Sequence, residues 1–378
     1  MNFEKAKQIS SIGLANIFGT GITAVFWFFL ASEIEPDEFG MIHYYISIAG
    51  LASYIALVGT QNTITVYVAK KIPLQSTLYL ISLIIGAIFT IGIIIFFDRI
   101  DTGFLLLGFI ISSLVIGELF GRQKFSAYSK YFLIQKGLTL ILGISFYYLF
   151  GVEGILYALA LSFVFYIIRI YKELKQKIDF PLLRNNLSFV SNNYMISLAA
   201  GVNSSIDKLI TMPLLGAAIV GNYSLALQIF SIMLVFPGII FRYILPQDVT
   251  GDKNKKVKQF TILISFFTSL LGFFIAPLII PTIFPKYLDA TDAIRILSVG
   301  LIPHALSIFY ISKFLSLENS KFVLYGTILL NLILVLGIII LGPIFGIAGI
   351  AYAATLSISG QTILFFFLNK RYIGGGIY

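Results

Sequence analysis

Two charges stand where charge is expensive. Asp207 and Lys208 lie side by side in Gly201–Gly221, GVNSSIDKLITMPLLGAAIVG, an otherwise apolar stretch with Asn203, Ser204 and Ser205 just upstream. Near the centre of a bilayer an ionised side chain costs roughly 3 kcal/mol or more, so charge retained there tends to be functional. The chemistry on offer is recognition of an anion. A lysine ammonium is a point charge with three donors, able to meet a phosphate. The competing reading has Lys208 snorkel to the outer interface a few residues away. Asp207 could pair with a cation or carry a proton. Neighbouring residues lie about 100° apart on a helix, so the two are expected to take different partners. Arg242, near the cytoplasmic end of its helix, reads as an interfacial anchor or a phosphate entry point.

These residues need a frame, and composition says which. The 378 residues are 58% hydrophobic and 11% charged, with a mean hydropathy of +0.96. Soluble domains carry about 25% charged residues. Apolar runs near 20 residues, long enough to cross about 30 Å of hydrocarbon, recur from end to end at about 9–30, 41–60, 76–97, 102–120, 132–149, 153–170, 189–213, 222–244, 259–281, 293–312, 322–342 and 346–368. The expectation is an all-α integral membrane protein with about 12 transmembrane helices. A β-barrel would instead show short alternating segments. With no cysteine, disulfides and thiolate metal sites are excluded, and two histidines speak against a histidine-rich metal site.

The net charge of +9 is not a nucleic-acid footprint. Of the 26 Lys and Arg, 22 fall on alternate connections, including Lys70 and Lys71, Arg122 to Lys136, Arg169 to Arg184 and Arg242 to Lys258, where Lys175 and Lys253 belong. The opposite side has only Arg99, Lys286 and Arg295. By the positive-inside rule both termini are cytoplasmic, and the protein is expected to be a multi-pass component of the plasma membrane.

A repeat divides the chain. Residues 150–162 read FGVEGILYALALS and residues 345–357 read FGIAGIAYAATLS, identical at eight of thirteen positions. Each copy precedes the last span of a six-span half. The halves are read as an N-terminal lobe 1–170, a basic cytoplasmic linker 171–188 and a C-terminal lobe 189–378. Six is even, so a pseudo-twofold axis along the membrane normal should relate them. A shift of 181 superposes Gly40 on Gly221 and pairs Asn16 with Ser197, Thr20 with Gly201, Thr23 with Ser204 and Trp27 with Lys208. Steps of four, three and four place each set on one helical face. These stripes are candidate cavity linings, although small and hydroxylated residues also serve helix packing in lipid. Pro237, Pro277 and Pro303 all fall in second-half spans, so that half should be the more bent. No nucleophile motif, phosphate loop, metal-ligand spacing or paired intraspan carboxylates occurs, so no enzyme is expected. Glu118 and Arg122, spaced i, i+4, read as a structural pair.

The turn Pro36-Asp37-Glu38-Phe39-Gly40, the run Ser205-Ile206-Asp207-Lys208 leading into Val220-Gly221-Asn222-Tyr223-Ser224, and the closing Phe345-Gly346-Ile347-Ala348-Gly349-Ile350-Ala351-Tyr352-Ala353 together resemble the polysaccharide flippases of Wzx type. These belong to the multidrug/oligosaccharidyl-lipid/polysaccharide (MOP) exporter superfamily. The resemblance covers nearly the whole chain. It implies two six-helix lobes with alternating access, and transfer of a polyprenyl-(pyro)phosphate-linked oligosaccharide to the outer leaflet. It also implies a cationic cavity position, which Lys208 matches and Arg242 matches more weakly. No cofactor is implied. The driving force would be H+, Na+ or the membrane potential, and the partners the lipid-linked glycan, membrane lipids and glycosyltransferases or a polymerase of the same route. Two rivals stand. A MATE-like, cation-coupled multidrug antiporter would need acidic residues in spans 1 and 2, where none occurs. The other is a non-transporting glycan-assembly membrane protein.

Overall fold

A computed structural model describes residues 3–174, 177–249, 254–317 and 319–373, with side chains described from Gly13 onward apart from those of 246 and 249. Lys175 and Lys253 lie outside the described residues, as do 175–176 of the expected linker. Among the described residues there is no strand. The helices of the first half are α1 (Phe3–Glu33), α2 (Pro36–Ala56), α3 (Gln61–Ala69), α4 (Gln75–Phe97), α5 (Ile100–Gly121), α6 (Phe125–Phe150), α7 (Gly154–Leu161) and α8 (Ile167–Leu174). Then come α9 (Phe180–Asn185), α10 (Leu187–Leu215), α11 (Ala217–Met233), α12 (Val235–Val249), α13 (Lys255–Ile283), α14 (Ala290–Val299), α15 (Leu301–Ser316), α16 (Ser320–Phe345) and α17 (Ile347–Leu368).

Eight helical runs are long and apolar enough to cross a membrane, and ten are if each bent pair is one span. One of the eight, Phe125–Leu174, has 50 residues, more than twice the ~20 a crossing needs. It breaks at Gly151, whose φ of +66° ends α6, and α7 packs back on α6. That run therefore makes two passes. The remaining pass is α10, whose 29 residues could cover about 44 Å but whose polar residues lower its hydropathy. Both bent pairs lie in the second half. Ala217–Met233 and Val235–Leu245 meet at 43°, beside Pro237, and Ala290–Val299 and Leu301–Ser316 meet at 42°, beside Pro303. Pro277 lies inside the continuous helix α13. Short α3, with Thr60 as N-cap accepting from the Thr63 amide, is absent from the sequence expectation.

The repeat does the same structural work twice. Gly151 and Gly346 both take positive φ, +66° and +59°, a region closed to most L side chains. Three residues on, a side chain at Gly154 would strike the Phe146 carbonyl, and one at Gly349 the Leu341 carbonyl. Each FG-x-x-G motif therefore reverses the chain and seats the next helix against the last.

Packing divides the chain into two compact units, Met1–Phe26 with Tyr45–Ser205, and Trp27–Tyr44 with Ile206–Tyr378. In the first unit α5 is the buried centre. Its Leu105, Leu106, Ile110, Leu114, Val115 and Leu119 are almost wholly covered, and α3, α4 and α7 pack on it. In the second unit Tyr310, Phe314, Phe322 and Phe365 form one aromatic cluster, and Ile244, Ile308 and Phe309 form another. Packing units and sequence halves differ in two segments. The turn between α1 and α2 with its flanks, Trp27–Tyr44, belongs to the second unit, and residues of α10 up to Ser205 belong to the first.

Candidate substrate-binding site

The second unit gathers the unusual residues. Gly40 of α2 and Gly221 of α11 lie at a close crossing. A β-carbon on Gly40 would strike the Ala217 carbonyl, and one on Gly221 the Pro36 carbonyl. Small residues let helix backbones approach without the hydrophobic drive that water would supply. This explains the two glycines the sequence superposes: they face each other. The crossing holds the hairpin that carries Trp27, Phe39 and His43.

Trp27 is buried, with 7% of its surface exposed. Its ring packs on His43 at 4.4 Å between centroids and meets the edge of Phe39 at 5.7 Å. Phe39 also packs on His43 at 4.6 Å. His43 lies within electrostatic reach of Lys208, and Asp207 within reach of Tyr223 on α11. Trp27 and Lys208, equivalent by the repeat register, are thus linked through His43. The sequence reading passed over this residue; the signal was a lone histidine inside an apolar span, one helical turn after Phe39.

Lys208 and Asp207 correct one expectation. They do not take separate partners. The Lys208 ammonium turns back to both Asp207 carboxylate oxygens, each at 3.4 Å, and Asp207 also accepts the Lys208 amide at 2.8 Å. The 100° rule governs where Cβ atoms point; a flexible four-carbon stem can still curl back. The side chains are 12% and 9% exposed, so Lys208 does not end in open solvent. At 3.4 Å the contact is longer than an optimal charged hydrogen bond of about 2.7–2.9 Å.

The other stripe residues lie in the first unit. Asn16, Thr20, Thr23 and Ser197 are half-buried, and Ser204 is exposed. Thr23 donates to the Gly19 carbonyl at 2.8 Å. Ser204 donates to the Gly201 carbonyl at 2.9 Å. Gly201 is buried where a side chain would meet the Tyr54 ring of α2, which makes it a packing contact. Tyr194 donates to the Ile55 carbonyl at 2.7 Å along the same pair of helices. Arg242 is exposed on α12. The structure thus gathers Trp27, Asp207 and Lys208 in one unit and leaves Asn16, Thr20, Thr23, Ser197, Gly201 and Ser204 in the other.

A second charged group sits in the first unit. Glu118, fully buried, accepts from Arg122 at 2.7 Å and from Arg169 through two bonds at 2.9 and 2.7 Å. Arg122 also reaches Glu173 at 2.7 Å. The expected Glu118–Arg122 pair is therefore part of a four-residue ladder tying α5 to α8. Among the described residues no group of three or more His, Cys, Asp or Glu could hold a metal ion.

No protein-family model matches the chain, and no curated protein does. Solved structures do. The lipid II flippase MurJ in an inward closed conformation is 13% identical, with a TM-score of 0.77 over 95% of this chain and 87% of that one. An inward-facing multidrug-resistance MATE transporter of the MOP superfamily is 18% identical, with a TM-score of 0.70 over 93% of each chain. The MATE transporter VcmN of Vibrio cholerae is 14% identical, with a TM-score of 0.62 over 99% and 98%. The fold is theirs: all-α, with twelve membrane helices in two six-helix lobes.

Proposed function

We propose that this chain, a multi-pass membrane protein with the MOP transporter fold, flips a polyprenyl-(pyro)phosphate-linked oligosaccharide from the cytoplasmic to the outer leaflet of the plasma membrane, both termini facing the cytoplasm. The observation that carries this reading is the mostly covered Lys208 ammonium, which among the described residues pairs only with Asp207, at 3.4 Å, and lies within electrostatic reach of His43, itself packed on the Trp27 ring. A cation so loosely engaged can exchange its carboxylate for a phosphate. The Trp27 ring, packed on His43, is of the kind that suits the apolar face of a sugar ring. Asp207 then keeps the site near neutral while empty, which limits the cost of burying the ammonium. The lobes 1–170 and 189–378, joined through 171–188, would alternate access to the two membrane faces. No chemical step on the cargo is needed.

The drug-antiporter reading shares the fold, and two of the three compared structures are MATE transporters. The residues separate the two readings. A cationic drug would meet like charge at Lys208, and spans 9–30 and 41–60 hold no Asp or Glu. The test is deletion of the gene followed by lipid analysis. Lipid-linked glycan trapped on the cytoplasmic leaflet supports the flippase; altered drug or sodium tolerance with normal glycan export supports the antiporter.

A further inference from the structure

Arg99, Lys286 and Arg295 are the basic residues on the side read as external. Two of them are satisfied. Arg99 donates to both carboxylate oxygens of Asp101, at 3.1 and 2.6 Å. The Lys286 ammonium donates to the Glu33 carbonyl at 2.8 Å and pairs with the Glu35 carboxylate at 3.0 Å. Arg295 is not. Among the described residues its one hydrogen bond runs from Nη1 to Asp292 on the same helix at 3.4 Å, and the Asp292 side chain is 67% exposed. Exposed pairs of this kind contribute little. The Arg295 guanidinium lies over the Phe273 ring of α13 at 4.6 Å, and its Nε is buried without a hydrogen-bond partner. Arg295 stands five residues after Ala290, the start of α14, about 7.5 Å along the axis. Charge carried into a membrane-spanning helix is costly and marks a partner.

An apolar groove adjoins this pair. Ile294 and Gly272, the sequence neighbours of Arg295 and Phe273, both line it, between α11, α13 and α14. Its volume is about 220 Å³, more than the ~150 Å³ that admits a benzene ring. Ala276, Ile280 and Ile294 form covered lining, and Leu271 and Ile279 are exposed. Along α13 it runs from Thr268 to Ile280, about 18 Å, close to half of the ~30 Å hydrocarbon layer.

We propose that Arg295 and this groove bind an anionic glycerophospholipid of the outer leaflet, with the phosphate on the guanidinium and one acyl chain in the groove. The choice of leaflet rests on the topology given above; the site itself does not depend on the transport reading. A guanidinium presents five donors in a planar fork that matches phosphate, and stacking on Phe273 fixes its plane while leaving its edges to hydrogen-bond. A long basic side chain part-way down a helix end reaches toward the headgroups, and the bilayer thins locally to meet it. The groove has the depth of one leaflet and a lining that offers an acyl chain dispersion contacts. A lipid fits better than a glycan head, because α13 turns exposed Phe267, Leu271, Phe274 and Leu278 outward, a face without donors or acceptors for sugar hydroxyls.

The test uses the purified full chain in detergent. Dioleoyl phosphatidylglycerol is the probe, dioleoyl phosphatidylcholine the zwitterionic control, and bound lipid is counted by native mass spectrometry. The expected result is one phosphatidylglycerol per chain, retained at least fivefold over phosphatidylcholine. Arg295→Gln should abolish that preference and Arg295→Lys should keep part of it. Ala276→Leu, which places a larger side chain in the groove and leaves the charge alone, should weaken retention of both lipids severalfold. Glycerol phosphate, which has no chains, should not compete. Equal phosphatidylglycerol retention by wild type and Arg295→Gln, or unchanged retention by folded Ala276→Leu, overturns the site; if Ala276→Leu does not fold, the two Arg295 variants decide. Displacement of phosphatidylglycerol by an equal concentration of a polyprenyl phosphate gives the site to the carrier lipid and overturns the phospholipid assignment. None of these readouts involves glycan transport, so the lipid site and the cargo assignment fail separately.

Discussion

Two of the charged groups of this molecule, at Glu118 and at Lys208, are built on opposite principles. Around Glu118 every bond is short: three arginine contacts at 2.7–2.9 Å and a fourth from Arg122 to Glu173 at 2.7 Å. Among the described residues Lys208 meets one carboxylate, on the adjacent residue, at 3.4 Å. The first arrangement leaves the buried carboxylate no capacity for a ligand. Its geometry is the one in which a buried ion pair repays its desolvation. The second leaves an ammonium with donors to spare, within electrostatic reach of His43. Burial alone therefore does not separate the two groups; the degree of saturation does.

The contrast can be broken at four points, from the largest effect to the smallest. Glu118→Ala removes the shared acceptor of Arg122 and Arg169, leaving Arg122 only Glu173. Removing one partner of a buried pair costs about 3–5 kcal/mol, and the exposure of Arg122 and Arg169, 36% and 21%, places this at the lower end. The expected result is a much lower level of protein in the membrane and a lower melting temperature in detergent; wild-type values would show the ladder to be ornamental. Lys208→Ala should leave protein level intact and cut glycolipid export by one to two orders of magnitude, as expected for loss of a charged hydrogen bond of about 1.5–3 kcal/mol. Asp207→Asn keeps the shape but removes the counter-charge. Export should then change only a few-fold, and its salt sensitivity should rise as Lys208 takes up free anions; a loss as deep as that of Lys208→Ala would make Asp207 the principal group instead. Arg242→Ala, at an exposed side chain, should change export less than twofold in a transport assay.

Legibility differed by range. The passes were readable because each needs only its own apolar length. The FG-x-x-G turns were readable as a repeat, and the positive φ of Gly151 and Gly346 is the kind of local demand that leaves a mark in composition. The equivalence of Gly40 and Gly221 was visible, but not that they meet. The Asp207–Lys208 contact was misjudged because backbone phase was used where side-chain flexibility decides. His43 was missed because a lone histidine in an apolar span says little by itself; its meaning comes from Trp27, sixteen residues earlier, and from Lys208 on another helix. The Lys286 contact to the Glu33 carbonyl was invisible for the same reason, since the two residues are 253 apart. Packing units were not legible either: Trp27–Tyr44 joins the second unit through a glycine crossing, a loop and rings that only the fold assembles.

The central claim is that the loosely held Lys208 serves an anionic glycolipid. It is tested most directly in proteoliposomes carrying a fluorescent polyprenyl-pyrophosphate-linked oligosaccharide, by the rate at which the label becomes accessible to an external quencher. The account predicts fast transfer by the wild type, little above protein-free vesicles for Lys208→Ala, and partial recovery for Lys208→Arg. Equal transfer by wild type and Lys208→Ala, or wild-type vesicles that expel a cationic dye and leave the glycolipid in place, would contradict it.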